Sequence, residues 1–185
     1  QGNADLQAFL GRELVPFVDE ATRWATSRAQ AAGKAPDSEL DLRSRTLSPS
    51  DFGFHNALRL DDGRVVFVDF EYFGWDDPAK MVADFLLHPG MDLSHDLKGR
   101  FAVAVLGRFG NDRLLPSRLE TVYPLFGLKW CLILLNEFVP EHLMRRGFAT
   151  EDAEPRPEIQ ARQLAKARGL LRKVRVEYRE FPYHG

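Results

Sequence analysis

The sequence has too little of several features to belong to some large classes of protein. Its single cysteine, Cys131, excludes an internal disulfide, and it lies in the longest uninterrupted apolar run, residues 130–135. That run is far shorter than the ~20 residues that span a bilayer. The net charge of −2 lacks the basic excess of proteins that bind nucleic acid or anionic membranes. We therefore expect a cytoplasmic protein with no nucleic-acid and no membrane partner, and Cys131 as a small core residue.

Two kinds of ligand motif are also missing from the sequence. No glycine-rich phosphate loop of the form G-x-G-x-x-G or G-x-x-x-x-G-K-[ST] occurs. Cysteine and histidine are not clustered at zinc-binding spacing. The histidines are dispersed along the chain and do not by themselves predict a site. They are His55, His88, His95, His142 and His184.

The length and the composition fit one globular unit. A chain of 185 residues that is 44% hydrophobic can fill a single core. We interpret Gln1 and Gly2 as a tag remnant and residues 3–185 as one domain.

Apolar periodicity predicts a mainly helical chain with one small β-hairpin. We expect a first helix capped by Asn3, and Asp77 as the cap of a later one. Gly33 is suited to end the second helix in a left-handed conformation. Pro124 and Pro140 are candidate breaks in a long buried helix. After the first, the predicted helices span residues 16–32, 77–87, 93–109, 117–146 and 159–178.

The predicted hairpin gathers polar residues at its open end. Residues 57–60 and 64–68 are short apolar-rich runs, and Asp61-Asp62-Gly63 between them is a turn signal. If the loop has two residues, Asn56 lies opposite Asp69. A three-residue loop with a G1 bulge shifts the pairing by one residue.

An amide and a carboxylate that meet at the mouth of a hairpin are suited to a hard divalent cation. Mg²⁺ takes one or two protein oxygens and fills its other positions with water and phosphate oxygens. Asn56 and Asp69 are the expected protein ligands. Asp51, in the loop that leads into the hairpin, is free to face the same mouth.

These residues resemble a known family. D-F-G-F-H-N, followed by V-F-V-D-F-E and G-W-D-D-P, is similar to the aminoglycoside phosphotransferase and choline kinase superfamily, relatives of the protein kinases. The resemblance implies that Asp51 is the catalytic base. It implies that Asn56 and Asp69 bind Mg²⁺ and, through it, ATP or another nucleoside triphosphate. The fold it implies is the helical C-terminal lobe of a kinase, with catalytic loop and metal hairpin in residues 47–77.

The sequence departs from the family pattern at a few positions. The pattern H-G-D-x-x-x-x-N has Pro49 in place of its histidine and Ser50 in place of its glycine, so the hydrogen bond of that histidine is absent. In the family segment D-P-x-x-D-L-A the second aspartate falls on Met81. The nearest carboxylate, Asp84, comes almost one helical turn later.

The resemblance starts directly in the second lobe, so the N-terminal lobe that carries the phosphate loop is expected as a partner. The implied function is transfer of phosphate from ATP to a hydroxyl of a small molecule, and the chain alone is expected to be inactive. Apolar surface near Phe52, Phe54 and Phe70 would then be exposed or buried by self-association. The alternatives are a non-catalytic binding module of the same fold and a helical scaffold that docks a partner through its basic last helix.

Two further features have open interpretations. His55, next to Asn56, is placed either to touch phosphate or substrate or to pack the loop. The basic residues of the last predicted helix, 159–178, form either a solvated face or a site for phosphate or RNA.

Overall fold

The computed structural model describes residues 2–35, 38–91, 93–139 and 155–183, and it is mainly helical with two small β-ladders. The α-helices, in chain order α1 to α6, are Gly2–Phe9, Val15–Ala31, Pro78–Leu87, His95–Arg108, Leu115–Leu134 and Arg156–Glu177. The strands β1 to β4 are Thr46–Ser48, Ala57–Arg59, Val65–Phe67 and Gly74–Asp76.

The first two helices are joined without a break. α1 already includes Asn3, so the prediction that Asn3 caps a helix is wrong. A π-helical turn, Leu10–Leu14, connects α1 to α2 just before Pro16, whose missing N–H cannot continue an α-helical ladder. α2 ends as predicted: Gly33 has φ 69°, its N–H donates to the Gln30 carbonyl, and the next N–H donates to the Ala29 carbonyl.

Helix α3 begins at the predicted cap. The Asp77 side chain accepts a hydrogen bond from the Ala79 N–H at 2.9 Å, and Pro78 occupies the first turn. The capping interpretation of Asp77 is therefore confirmed. α3 is buried on nearly all sides, which suits an element that supports other parts of the fold.

Helix α5 is the centre of the core. It runs from Leu115 to Leu134 through Pro124, so the proline does not break it; Pro140 lies outside the described residues. Contacts with α2, α3 and α6 on three sides outweigh the ~3 kcal/mol that an interior proline costs. Cys131 is fully buried as predicted, and burial raises the pKa of its thiol to about 12.

The last helix packs on α5 through one apolar stripe. Leu164, Ala167, Leu171 and Val174 are all buried. No helix in the described part of the chain is both long and apolar enough to cross a membrane.

The β structure consists of two nested antiparallel ladders and not of one hairpin. β1 pairs with β4, with Ser48 opposite Gly74, and encloses the ladder of β2 with β3. In the inner ladder the Leu60 N–H donates to the Arg64 carbonyl, so the loop has three residues, and Gly63 at φ 84° is its left-handed member. The three-residue alternative is therefore confirmed and the two-residue loop is wrong, so the pairing is shifted by one residue.

The close approach of α5 and α6 at Gly127 is testable. A Cβ on Gly127 would lie 2.5 Å from Val174 Cγ2, so we expect Gly127→Ala to lower the free energy of unfolding by about 1 to 2 kcal/mol. Gly107→Ala, on the exposed side of α4 with nothing within 4 Å, is the matched control and should gain up to about 1 kcal/mol. Urea unfolding of both variants measures this. Equal stabilisation by both substitutions would contradict the close packing.

Candidate active site around Asp51

A strained turn precedes Asp51. The Asp51 N–H donates to the Pro49 carbonyl at 2.8 Å, and Ser50 between them has φ 66°, which together mark a γ-turn of the rare positive-φ kind. Such a conformation costs a residue other than glycine about 1 to 3 kcal/mol. The position therefore favours glycine, and this chain holds a serine there.

Hydrogen bonds and ion pairs hold the strained serine in place. Lys80 Nζ donates to Ser50 Oγ at 2.9 Å and pairs with Asp76 Oδ2 at 2.7 Å. The same ammonium lies 3.4 Å from Oδ2 of Asp84, a carboxylate only 3% exposed. Asp84 also pairs closely with Lys129. The turn before Asp51 is thus tied to a buried charge network in the helical core.

Both oxygens of the Asp51 carboxylate have protein partners. Oδ1 lies 2.9 Å from His55 Nε2, and Oδ2 accepts a hydrogen bond from Asn56 Nδ2 at 3.2 Å. The same amide nitrogen donates to the Asp51 backbone carbonyl at 3.1 Å. Asn56 Nδ2 is therefore committed to Asp51, and among the described residues Asn56 Oδ1 has no partner.

The His55 ring lies between two close neighbours. A Cβ on Gly53 would lie 2.6 Å from the ring, so the ring fits only because residue 53 is glycine. The ring also stacks on His88, with centroids 3.9 Å apart and planes 6° apart. His88 is held by the Gly90 N–H, which donates to its Nδ1 at 3.0 Å, and by the edge of Trp130. The histidines are dispersed along the sequence and do not by themselves predict a site, but the fold brings this pair together.

Asp69 does not lie where the predicted register puts it. The Val68 N–H donates to the Asn56 carbonyl at 2.9 Å, so Val68 and not Asp69 is opposite Asn56. Asp69 has φ 62° and, with Ser50, is one of two non-glycine residues of positive φ in the described ranges. Its carboxylate is exposed and has no hydrogen-bond or ion-pair partner among the residues described. A left-handed residue at this point turns the chain out of the ladder.

In the part of the chain that the structure describes, two sets of residues are candidates for a metal. Asp51, His55 and His88 each place a ligand atom within 4.8 Å of the others. Parallel stacked rings, however, do not aim their in-plane lone pairs at one point, and Nδ1 of His88 already accepts a backbone hydrogen bond. The set suits a metal poorly. Asn56 Oδ1 and the Asp69 carboxylate are both unpartnered hard oxygens, the donors that Mg²⁺ prefers.

One further charged region, a cleft beside the start of α5, is internally paired. The cleft, of about 290 Å³, contains Arg118, which bonds Asp77 and Asp112, and none of the three predicted site residues lines it. Hydrogen bonds from Arg118 hold the pKa of Asp112 below its ordinary value.

The basic residues of α6 are partly used for packing within the chain. Arg168 lies 3.3 Å from Glu13, and Arg179, just beyond the helix, lies 2.9 Å from Glu20. Hydrogen bonds from Tyr178 and Arg179 lower the pKa of Glu20. These contacts join the last helix and the residues just after it to the π-helical turn and to α2, which gives part of the basic face a structural role.

Comparison of the chain with family models, with curated proteins and with solved structures found no match.

The structure adds residues to the site that the sequence did not indicate. Lys80 bonds Ser50 in the turn before Asp51, and His88 stacks on the ring of His55. Trp130 contacts both His88 and Asp84. The spacing of Lys80 four residues before Asp84 on α3 was a usable signal. No sequence pattern relates His88 to His55.

The stacked ring gives the protein a predictable response to acid. Burial, and then repulsion from His55 and Lys129 against an opposing effect of Asp51, lowers the pKa of His88 from 6.5 to about 4. Between these pH values the unfolded chain binds a proton that the folded chain does not, so the free energy of unfolding falls as pH falls.

We expect His88→Phe, which keeps a flat ring, to weaken this dependence. Unfolding in urea at a series of pH values should show that the loss of stability between about pH 6.5 and pH 4 is smaller in the variant. After allowance for partial exposure the difference is on the order of 2 kcal/mol. Identical pH profiles for the two proteins would show that His88 is not held neutral by its surroundings.

Proposed function

We propose that this chain is the catalytic lobe of an ATP- and Mg²⁺-dependent phosphotransferase that acts on a hydroxyl of a small molecule. The proposed fold is the helical C-terminal lobe of a kinase of the aminoglycoside phosphotransferase and choline kinase type. The mainly helical fold with its small nested ladders is compatible with such a lobe.

The observation that carries the proposal is the way Asn56 faces Asp51. The amide nitrogen of Asn56 bonds both the carboxylate and the backbone carbonyl of Asp51, which leaves the amide oxygen for a cation. One residue thus orients the proposed base and presents a metal ligand beside it. Phosphoryl transfer needs such an arrangement, because the protein mainly positions the reactants and neutralises charge.

Each residue has a proposed role. Asp51 accepts the proton of the attacking hydroxyl. Asn56 and Asp69 hold the metal with their free oxygens, and Asp69 reaches it from a left-handed turn beyond the ladder. Bound Mg²⁺ would neutralise the phosphate charge of the nucleotide. Strained residues on either side of the site are typical of functional positions.

Exposed aromatic residues support a further lobe that covers the ladders. Phe54 is 56% exposed, Phe70 49%, Tyr72 69% and Trp75 64%. An apolar surface of this kind marks a contact site. Phe52 is an exception to the expected exposure, because its ring packs among those of other phenylalanines, at 4.9 Å from Phe67. We propose that the covering lobe supplies the phosphate-binding loop; self-association is the competing occupant.

A second candidate function is a non-catalytic binding module with the same fold. The replacement of the family histidine by Pro49 favours it, because that hydrogen bond cannot form. The two candidates differ in a single measurable property, since only the first turns over Mg-ATP.

The metal ligands are testable without knowledge of the acceptor. We expect Mn²⁺, a paramagnetic substitute for Mg²⁺, to bind this chain, and Asp69→Asn to weaken binding at least about tenfold because it removes an anionic ligand. Electron paramagnetic resonance of free Mn²⁺ measures the affinity. Asp61→Asn, an exposed carboxylate at the other end of the same hairpin, is the matched control and should bind as the wild type does. An equal loss of Mn²⁺ affinity in both variants would show that the effect comes from net charge and that Asp69 is not a metal ligand.

The role of Asp51 requires turnover. In a form of the protein that carries the covering lobe, Asp51→Asn should lower kcat by about 100-fold or more with little change in Mg-ATP binding. The 185-residue chain alone should bind Mg-ATP weakly and turn over little, because nothing covers the phosphates. Calorimetry and an ATPase assay on both forms provide the test. Tight binding and turnover by the chain alone would refute the need for a covering lobe.

A further inference from the structure

A carboxylate that accepts a proton must be held in the correct orientation, and the residue that orients Asp51 in this chain differs from that of the family pattern. The family pattern has a histidine two residues before the aspartate, and here Pro49 offers no side-chain donor at that position. The imidazole that contacts Asp51 comes instead from four residues later, with His55 Nε2 at 2.9 Å from Oδ1. Asn56 holds the other oxygen.

The surroundings of His55 are built to hold its ring. Gly53 leaves the space that a side chain would fill, since its Cβ would lie 2.6 Å from the ring. The backbone of Gly53 is extended, with φ 175° and ψ 175°, so conformation does not require glycine there and space does. His88 supplies a flat platform at 3.9 Å, and its own ring is fixed by the Gly90 N–H and by Trp130 at 4.3 Å.

We propose that His55 is the positioning residue for Asp51 and that Gly53 and His88 hold its ring for that purpose. The inference rests on the proposed phosphotransferase function. A donor to Oδ1 fixes the rotation of the carboxylate, which directs a lone pair of Asp51 to the acceptor hydroxyl. His55 itself touches neither acceptor nor nucleotide.

The contact can be tested directly on this chain. At about pH 8, ¹⁵N-detected NMR should show His55 as the Nε2–H tautomer with a slowly exchanging proton. Gly53→Ala should abolish that signal by displacing an unaltered His55. Gly74→Ala, in the outer ladder with nothing within 4 Å of the added Cβ, should preserve it. An Nδ1–H tautomer, or rapid exchange in the wild type, would overturn the proposal.

The functional consequence needs kinetics in a form that turns over Mg-ATP. His55→Leu and Gly53→Ala should lower kcat by about 10- to 100-fold while KM for ATP changes less than about threefold, because the substrate site is intact and the base is misaimed. His55→Gln, which places an N–H donor at the same number of bonds from the backbone, should restore most of kcat. His88→Phe should keep most of kcat, and His88→Ala should not.

The outcomes separate this inference from the proposed function. If turnover is present and His55→Leu keeps the wild-type kcat, or raises only KM, the positioning role is wrong and the phosphotransferase stands. If no form of the protein turns over Mg-ATP but the tautomer and its loss in Gly53→Ala are observed, the proposed reaction fails and the hold of His55 on Asp51 is upheld.

Discussion

The rest of the site depends on the interactions that neutralise the buried carboxylate of Asp84. A charge this deeply buried is tolerated only when it is paired and hydrogen-bonded. Here Lys129 pairs with it, Trp130 Nε1 donates to it at 3.0 Å, and Lys80 approaches its second oxygen. Because Lys80 also bonds Ser50, the need to neutralise a carboxylate in the core fixes the turn in front of the candidate base.

The two supports of Asp51 start from one residue of α5. Trp130 bonds Asp84 through its indole N–H and contacts His88 through its ring, so the lysine network and the stacked histidines share a rigid base. Cores are close-packed and transmit small displacements. A change in the packing of α5 therefore affects both the turn before Asp51 and the stacked histidines. The proposed chemistry takes place on a loop between short strands. Such segments are usually flexible, and here contacts with the helical core hold the loop in place.

Local signals predicted much of this fold, and long-range contacts did not. Gly33 ends α2 and Asp77 caps α3 as expected, because capping depends on neighbours in sequence. The pairing of Asn56 with Asp69 was misplaced because one extra loop residue shifts every partner in a ladder. His88 was missed because a ring stack between residues that are distant in sequence produces no periodic pattern in the sequence. The candidate residues could be predicted from the sequence, whereas the residues that hold them in place are brought together only by the tertiary fold.

The nested arrangement of the ladders has a consequence for how such a site can evolve. Asp51, Asn56 and Asp69 all lie on the stretch between Ser48 and Gly74, which face each other in the outer ladder. A segment whose ends are neighbours can be replaced or lengthened at small entropic cost to the helices around it. The helical scaffold and the segment that carries the candidate site are thus able to diversify separately, and only the few side chains that cross between them need to change together.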